Sequence, residues 1–203
     1  MRKRYPLKKK GAVREWIEAI IFAAILATFL RSFFFQVYKI PTTSMVPTLM
    51  PGDKIFVTKL AFGPKVPFTD FRIKGFREPQ VGDVVVFLPP QEAEKAWYDF
   101  SKKQYIKRLI AVGGDKVSIE DGNVYVNGNM VLDPRIARNY YYNQGDYLEE
   151  EEVISVPEGE YFFLGDNSIS SLDSRFWGTA KKEDIVGKAV FVWWPPKRIG
   201  IIE

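Results

Sequence analysis

The sequence predicts a mainly β protein: a twisted antiparallel-sheet body carried on one N-terminal transmembrane helix. Three observations lead there. An apolar run directly follows a strongly basic start. Beyond residue 38, short runs rich in Val, Ile, Tyr and Phe alternate with Gly, Pro and Asp turn residues, a composition suited to pleated, half-buried strands. No internal repeat or low-complexity linker interrupts them, so 203 residues suit one compact body plus an anchor.

The anchor comes first. Trp16 to Tyr38 reads WIEAIIFAAILATFLRSFFFQVY. Its uncharged centre, Ala19 to Leu30, is short, but Trp16 to Phe35 covers the ~30 Å of a hydrocarbon core. Arg31 can snorkel, and Trp16 and Phe33 to Phe35 suit the interface. A cleaved leader would share the basic start, but Ala27-Thr28-Phe29 and its neighbours offer no Ala-X-Ala site. A buried core helix would make the basic prelude odd. The positive-inside rule places the tail in the cytoplasm and the chain beyond Tyr38 outside a cell membrane. The expected division is a tail over 1–15, a single-pass anchor over 16–37 and an extracytoplasmic body over 38–203.

In the body, Lys54 to Thr58 follows the turn Pro51-Gly52-Asp53. Val84 to Leu88 follows Val81-Gly82-Asp83, and Tyr105 to Val112 stops at Gly113-Gly114-Asp115. Lys116 to Glu120, Asp121-Gly122 and Asn123 to Val126 read as a tight hairpin, with a further turn at Asn127-Gly128. Tyr161 to Leu164 and Ala189 to Trp193 are the last strands. Gln91 to Gln104 reads as a short helix or an exposed loop. The polar, acidic, tyrosine-rich Pro134 to Glu152 marks a variable insertion near 129–155. Phe68, Phe71 and Phe76 sit in a proline-rich loop and read equally as lipid contacts or ordinary packing.

Composition narrows the chemistry. There is no histidine and no cysteine. A Ser-His-Asp triad, a cysteine nucleophile, a disulfide and a His- or Cys-ligated metal are all excluded. Any acid or base must come from Asp, Glu, Lys or Tyr. The net charge of +4 belongs to the tail, because residues 1 to 14 hold seven bases and no acid. Of 29 bases, 22 then face 25 acids over the remainder, so a nucleic-acid-binding body is not indicated.

Three segments hold candidate chemistry. In Ile40 to Asp53 (IPTTSMVPTLMPGD), Pro41 and Pro47 bracket Ser44 and restrict its backbone. Alone, the segment reads equally as a Ser/Thr-rich juxtamembrane loop. In Tyr105 to Val112, alternation puts Lys107 on one face with Tyr105 and Leu109, and Arg108 with Ile106 and Ile110. Buried among apolar residues, a lysine loses charge more easily and can accept a proton. As an edge residue it would keep its head in water. In Leu164 to Gly178 (LGDNSISSLDSRFWG), Asp166, Asp173 and Arg175 can form a salt-bridged turn. The acidic spacing there fits no calcium loop.

Taken together, the three segments resemble one family, the type I signal peptidases. Pro41 to Leu49 (PTTSMVPTL) resembles the nucleophile box. Tyr105 to Arg108 with Gly114-Asp115 resembles the lysine box, and Gly165 to Gly178 matches the last box at every fixed position. Val81 to Phe87 resembles the strand between the first two, so the likeness runs in order from residue 16 to about 195.

The resemblance implies a fold of the signal peptidase and self-cleaving repressor type. It implies a membrane-bound serine endopeptidase that removes N-terminal signal peptides, with Ser44 as nucleophile and Lys107 as general base. An oxyanion hole from the Ser44 N–H and the Thr42 hydroxyl is implied, with threonine standing where the family often has serine. Ser171 would orient the lysine, the box spacing selecting it over Ser168, Ser170 and Ser174. Asp166, Asp173 and Arg175 would shape the site. No metal or cofactor is implied. The implied partners are secretory precursors with Ala-X-Ala sites and the lipid bilayer. Rival readings are a Ser-Lys peptidase of narrower range, as in pilin maturation or an organellar inner membrane, and a non-catalytic membrane-anchored binding module.

Overall fold

The computed structural model describes residues 11–66, 69, 71–96, 99, 101–145 and 153–203. Most of the basic tail, Phe68 and the acidic stretch 146–152 lie outside them. The predicted class is observed: one long N-terminal helix, then a mainly antiparallel β body.

Helix α1 (Ala12–Phe33) has 22 residues, none buried. At 1.5 Å per residue it spans about 33 Å, and among the described residues it alone is long and apolar enough to cross a membrane. Arg14 pairs with Glu18 one turn on, which offsets a charge in the apolar run. The helix ends earlier than the expected anchor boundary at residue 37. Strand β1 (Phe35–Lys39) already pairs with β2 (Lys54–Thr58), Phe35 opposite Thr58 and Lys39 opposite Lys54. The ladder takes the backbone groups that helix would use, so 35–37 are strand.

The strands that follow are β3 (Val84–Phe87), β4 (Tyr105–Val112), β5 (Lys116–Glu120), β6 (Asn123–Val126), β7 (Asn129–Met130), β8 (Ile154–Ser155), β9 (Glu160–Leu164), β10 (Ala180–Lys181), β11 (Ile185–Trp194) and β12 (Gly200–Ile201). Short helices α2 (Pro90–Ala93), α3 (Pro134–Ala137) and α4 (Ser174–Trp177) lie between them. One sheet runs β1-β2-β11-β3-β4-β9-β10, with β12 on β11. The ten-residue β11 carries bulges where it pairs with β2 and β3. Bulges add twist and bend a strand, which curls this sheet.

The second sheet is β7-β6-β5-β8. Asp121 and Gly122 both adopt positive φ, 46° and 79°, as the tight turn between β5 and β6 requires. β7 and β8 contain the ends of the stretch 129–155, so that stretch is stitched into the body at both ends.

β4 is covered on both faces. Leu109 packs with Phe87, Phe163 and Trp177, whereas the next residue, Ile110, packs with Val117, Ile119, Phe162 and Tyr141. This double burial governs the charged residues on the same strand.

Candidate active site

Ser44 is held by a loop whose apolar residues act as plugs. The loop closes on itself through Ile40 N–H to the Asp53 carbonyl and Gly52 N–H to the Ile40 carbonyl, both 2.8 Å. Met45 and Leu49, one turn apart, are fully buried against Ile55 and Val57. Asp53 is buried too, and accepts from the Met50 N–H and the Arg198 guanidinium. Ser44 itself is buried.

Lys107 comes from β4, opposite Val85 of β3. It is 63 residues from Ser44 in sequence, yet its Nζ lies 2.8 Å from Ser44 Oγ. Lys107 is 4% exposed, and burial lowers its pKa from 10.5 to about 8. Asp173 opposes that shift, Arg175 adds to it, and Asp166 opposes it weakly. Thr42 Oγ1 lies 3.3 Å from Ser44 Oγ. The Ser44 N–H donates no hydrogen bond among the described residues.

The segment after β9 wraps behind Ser44. Asn167 donates its N–H to the Ser44 carbonyl (3.0 Å) and its side-chain amide to the Thr43 carbonyl (3.1 Å). Ser171 is buried, its Oγ without a hydrogen-bond partner. Gly165 separates Ser171 from Ser44: a Cβ built there would sit 2.1 Å from Ser171 Oγ and 2.6 Å from the Ser44 carbonyl oxygen. Gly165→Ala is therefore expected to push the two serines apart, at a cost of roughly 1–3 kcal/mol, typical of overpacking. Cleavage should fall more than the melting temperature accounts for; an unchanged rate in a folded Gly165→Ala protein would contradict this.

The expected salt-bridged turn of Asp166, Asp173 and Arg175 needs correcting. Asp173 and Arg175 do pair, at 2.8 Å and fully buried. Asp166 turns away to Arg108 of β4, at 2.6 Å and again fully buried. Alternation along β4 shows Arg108 only as a residue facing away from Lys107. Its guanidinium also donates to the Gly82 and Glu203 carbonyls and to Thr48 Oγ1. Thr48, in turn, donates to Asp166. One buried ion pair thus ties the Ser44 loop, β4 and the last box together. The available clue was an arginine beside the apolar run LIAV, which demands a buried partner. Asp173 also accepts the Gly165 N–H, and Ser174 Oγ accepts the Phe163 N–H. Ser168 accepts from Arg175 and from the Tyr142 N–H, which fastens 139–145 to this segment.

Known proteins resemble this chain over most of its length. The family model described as signal peptidase, peptidase S26, matches residues 13–194. A probable signal peptidase I-2 from Synechocystis is 34% identical over 201 residues, covering 96% of this chain and 82% of its own length. A signal peptidase I from Bacillus licheniformis is 33% identical over 195 residues, covering 92% and 91%. A crystal structure of a signal peptidase I from Enterococcus faecalis V583 is 28% identical, with a TM-score of 0.41, covering 55% of this chain and 97% of its own. With boxes, spacing and whole-length matches in agreement, the chain belongs to the signal peptidase family, peptidase S26, and is a serine endopeptidase.

Proposed function

We propose that Ser44 is the nucleophile and Lys107 the general base with which this chain removes N-terminal signal peptides from secretory precursors. The observation that carries the reading is the 2.8 Å contact between two buried groups, one of them an amine brought to about 8. Once neutral, Lys107 accepts the Ser44 hydroxyl proton as Oγ attacks the scissile carbonyl. The resulting ammonium then protonates the departing amine. Water, deprotonated by the same lysine, hydrolyses the acyl-enzyme. The free Ser44 N–H and the nearby Thr42 hydroxyl are the donors available to the oxyanion. Ser171 Oγ makes no hydrogen bond to Lys107, so its lysine-orienting role rests on the resemblance alone; the Arg108–Asp166 and Asp173–Arg175 pairs hold the walls.

Two features support a substrate presented at a membrane surface. α1 leads directly into β1, and the paired row Phe35–Thr58–Lys188–Val85–Lys107 crosses the sheet from the helix end to the base. Four strand spacings of about 4.8 Å carry that row sideways by about 19 Å. The basic tail sets the orientation, cytoplasmic N-terminus and external body. A precursor whose apolar segment stays in the bilayer would then offer an Ala-X-Ala site to Ser44.

The test is incubation of the detergent-solubilised chain with a precursor bearing such a site, across a pH series. Cleavage after the second alanine is expected. The rate should climb about tenfold per pH unit below about 8 and level off above, as Lys107 loses its proton. A flat profile, or cleavage elsewhere, overturns the proposal.

A further inference from the structure

We infer that Ser168 is a positioning residue which, together with the strap 139–145, fixes the Arg175 guanidinium beside the Ser44–Lys107 pair. The inference deepens the proposed function and rests on Lys107 being the base. Among the described residues no hydrogen bond joins Ser168 or the strap to Ser44 or Lys107, so both act through Arg175.

Arg175 is fully buried, and a guanidinium has five N–H donors and no acceptor. All five are taken. Nε donates to Asp173 Oδ1 (2.8 Å). Nη2 donates to Asp173 Oδ2 (2.9 Å) and the Ser168 carbonyl (2.8 Å). Nη1 donates to Ser168 Oγ (2.6 Å) and the Tyr142 carbonyl (2.7 Å). Asp173 holds one edge of the fork, and Ser168 with the strap holds the rest. A buried donor left without its partner is costly, so loss of one of these acceptors favours a shifted guanidinium.

The strap is itself anchored. Tyr141 is buried in the cluster that holds Ile110, Phe162 and Leu164, and its N–H donates to the Gly122 carbonyl (3.0 Å). Ser168 then joins the strap to Arg175 twice. Its Oγ also accepts the Tyr142 N–H (2.8 Å), and its carbonyl also accepts from Gln144 Nε2 (3.0 Å). Gly145 closes the strap at φ 104°, where a Cβ would sit 2.5 Å from the Arg175 carbonyl oxygen. In the 3-10 turn Ser168–Ser170, residues three apart share a side. Ser168 and Ser171 are accordingly both buried, whereas Ile169 and Leu172 are exposed.

The place of Arg175 matters to the base. Burial acts most strongly on the Lys107 amine; Asp173 and Asp166 favour its ammonium, and Arg175 disfavours it. Tyr105, on the same strand, presents its ring 5.8 Å from Nζ. A released Arg175 would take a like charge away from Lys107 and leave Asp173 less neutralised. Both changes favour the protonated amine. Ser168 and the strap therefore keep Lys107 neutral at a lower pH than it would otherwise reach.

Ser168→Ala removes the oxygen shared by Arg175 and the Tyr142 N–H, and Ser168→Thr keeps it. Cleavage of a saturating precursor is followed from pH 6 to pH 10 in the full chain, below the melting temperature of each variant. Ile119→Ala, a cavity in β5, controls for lost stability alone. The midpoint of the Ser168→Ala profile is expected to rise by roughly half a pH unit, so that cleavage falls about threefold at pH 7 and regains the wild-type level at pH 10. Ser168→Thr and Ile119→Ala should keep the wild-type midpoint. Gly145→Ala, pressing on Arg175 from the strap side, should raise the midpoint too, and decides the matter if Ser168→Ala does not fold. An equal loss at every pH with an unmoved midpoint is the mark of a merely structural role and overturns the inference. An unchanged profile, a lowered midpoint, or an equal shift in either control overturns it as well. A wild-type profile without a rise toward pH 8 would instead remove Lys107 as the base, the reading on which the inference rests.

Discussion

Lys107→Met is expected to abolish precursor cleavage, a loss of roughly 10³-fold or more, while raising the melting temperature near pH 7. The first effect follows from removing the base beside Ser44. The second follows from burial. Lys107 titrates at about 8 in the folded chain against 10.5 when unfolded. Below pH 8 both states carry the proton, and the folded state bears the whole desolvation penalty, on the order of 3 kcal/mol. Between 8 and 10.5 the unfolded chain binds more protons than the folded one, so wild-type stability rises with pH. Methionine has no such charge, and its advantage should shrink across that window. Ser44→Ala should lose cleavage as severely without that stabilisation. Thermal melts and a precursor assay at pH 7 and pH 10 check both halves. A fully active, folded Lys107→Met protein would remove the dyad, and a variant less stable at pH 7 would remove the desolvation argument.

Arg108→Met carries the largest expected loss of stability. It leaves the fully buried Asp166 without its ion pair and strips a donor from the Gly82 and Glu203 carbonyls. Removing one partner of a buried pair costs roughly 3–5 kcal/mol. Asp166→Asn in the same chain should restore part of that, because the orphaned charge is gone. Urea denaturation of the two single variants and the double variant measures the coupling. Simple additivity would show that the pair does not act as a unit.

Much of the fold was legible locally. The runs 54–58, 84–88, 105–112 and 116–126 are strands within a residue of their expected limits, because turn residues such as Asp121-Gly122 act over a few positions. Among the described residues of 91–104, only the first three are helical, in α2. The long apolar helix was legible from a basic start and an apolar run, but its end was not. Aromatic residues suit both a helix end and a strand, and pairing of 35–39 with β2 decided between them.

The motifs named Ser44, Lys107, Ser171, Asp166, Asp173 and Arg175 as one set, through family resemblance. Alternation along β4 separated Lys107 from Arg108 but could not say that both faces are buried. Nor could the last box reveal that its first aspartate leaves the turn for an arginine 58 residues away.

Taken alone, then, the sequence determined the long helix, most of the longer strands and their order, the absence of histidine and cysteine chemistry, and the serine and lysine available in their place. Tertiary structure decided that these two meet at 2.8 Å, that the lysine is desolvated and which ion pairs wall it in. The physical reason is range. Turn and strand preferences act between neighbours, whereas burial, pKa and ion pairing depend on residues brought together across the whole chain.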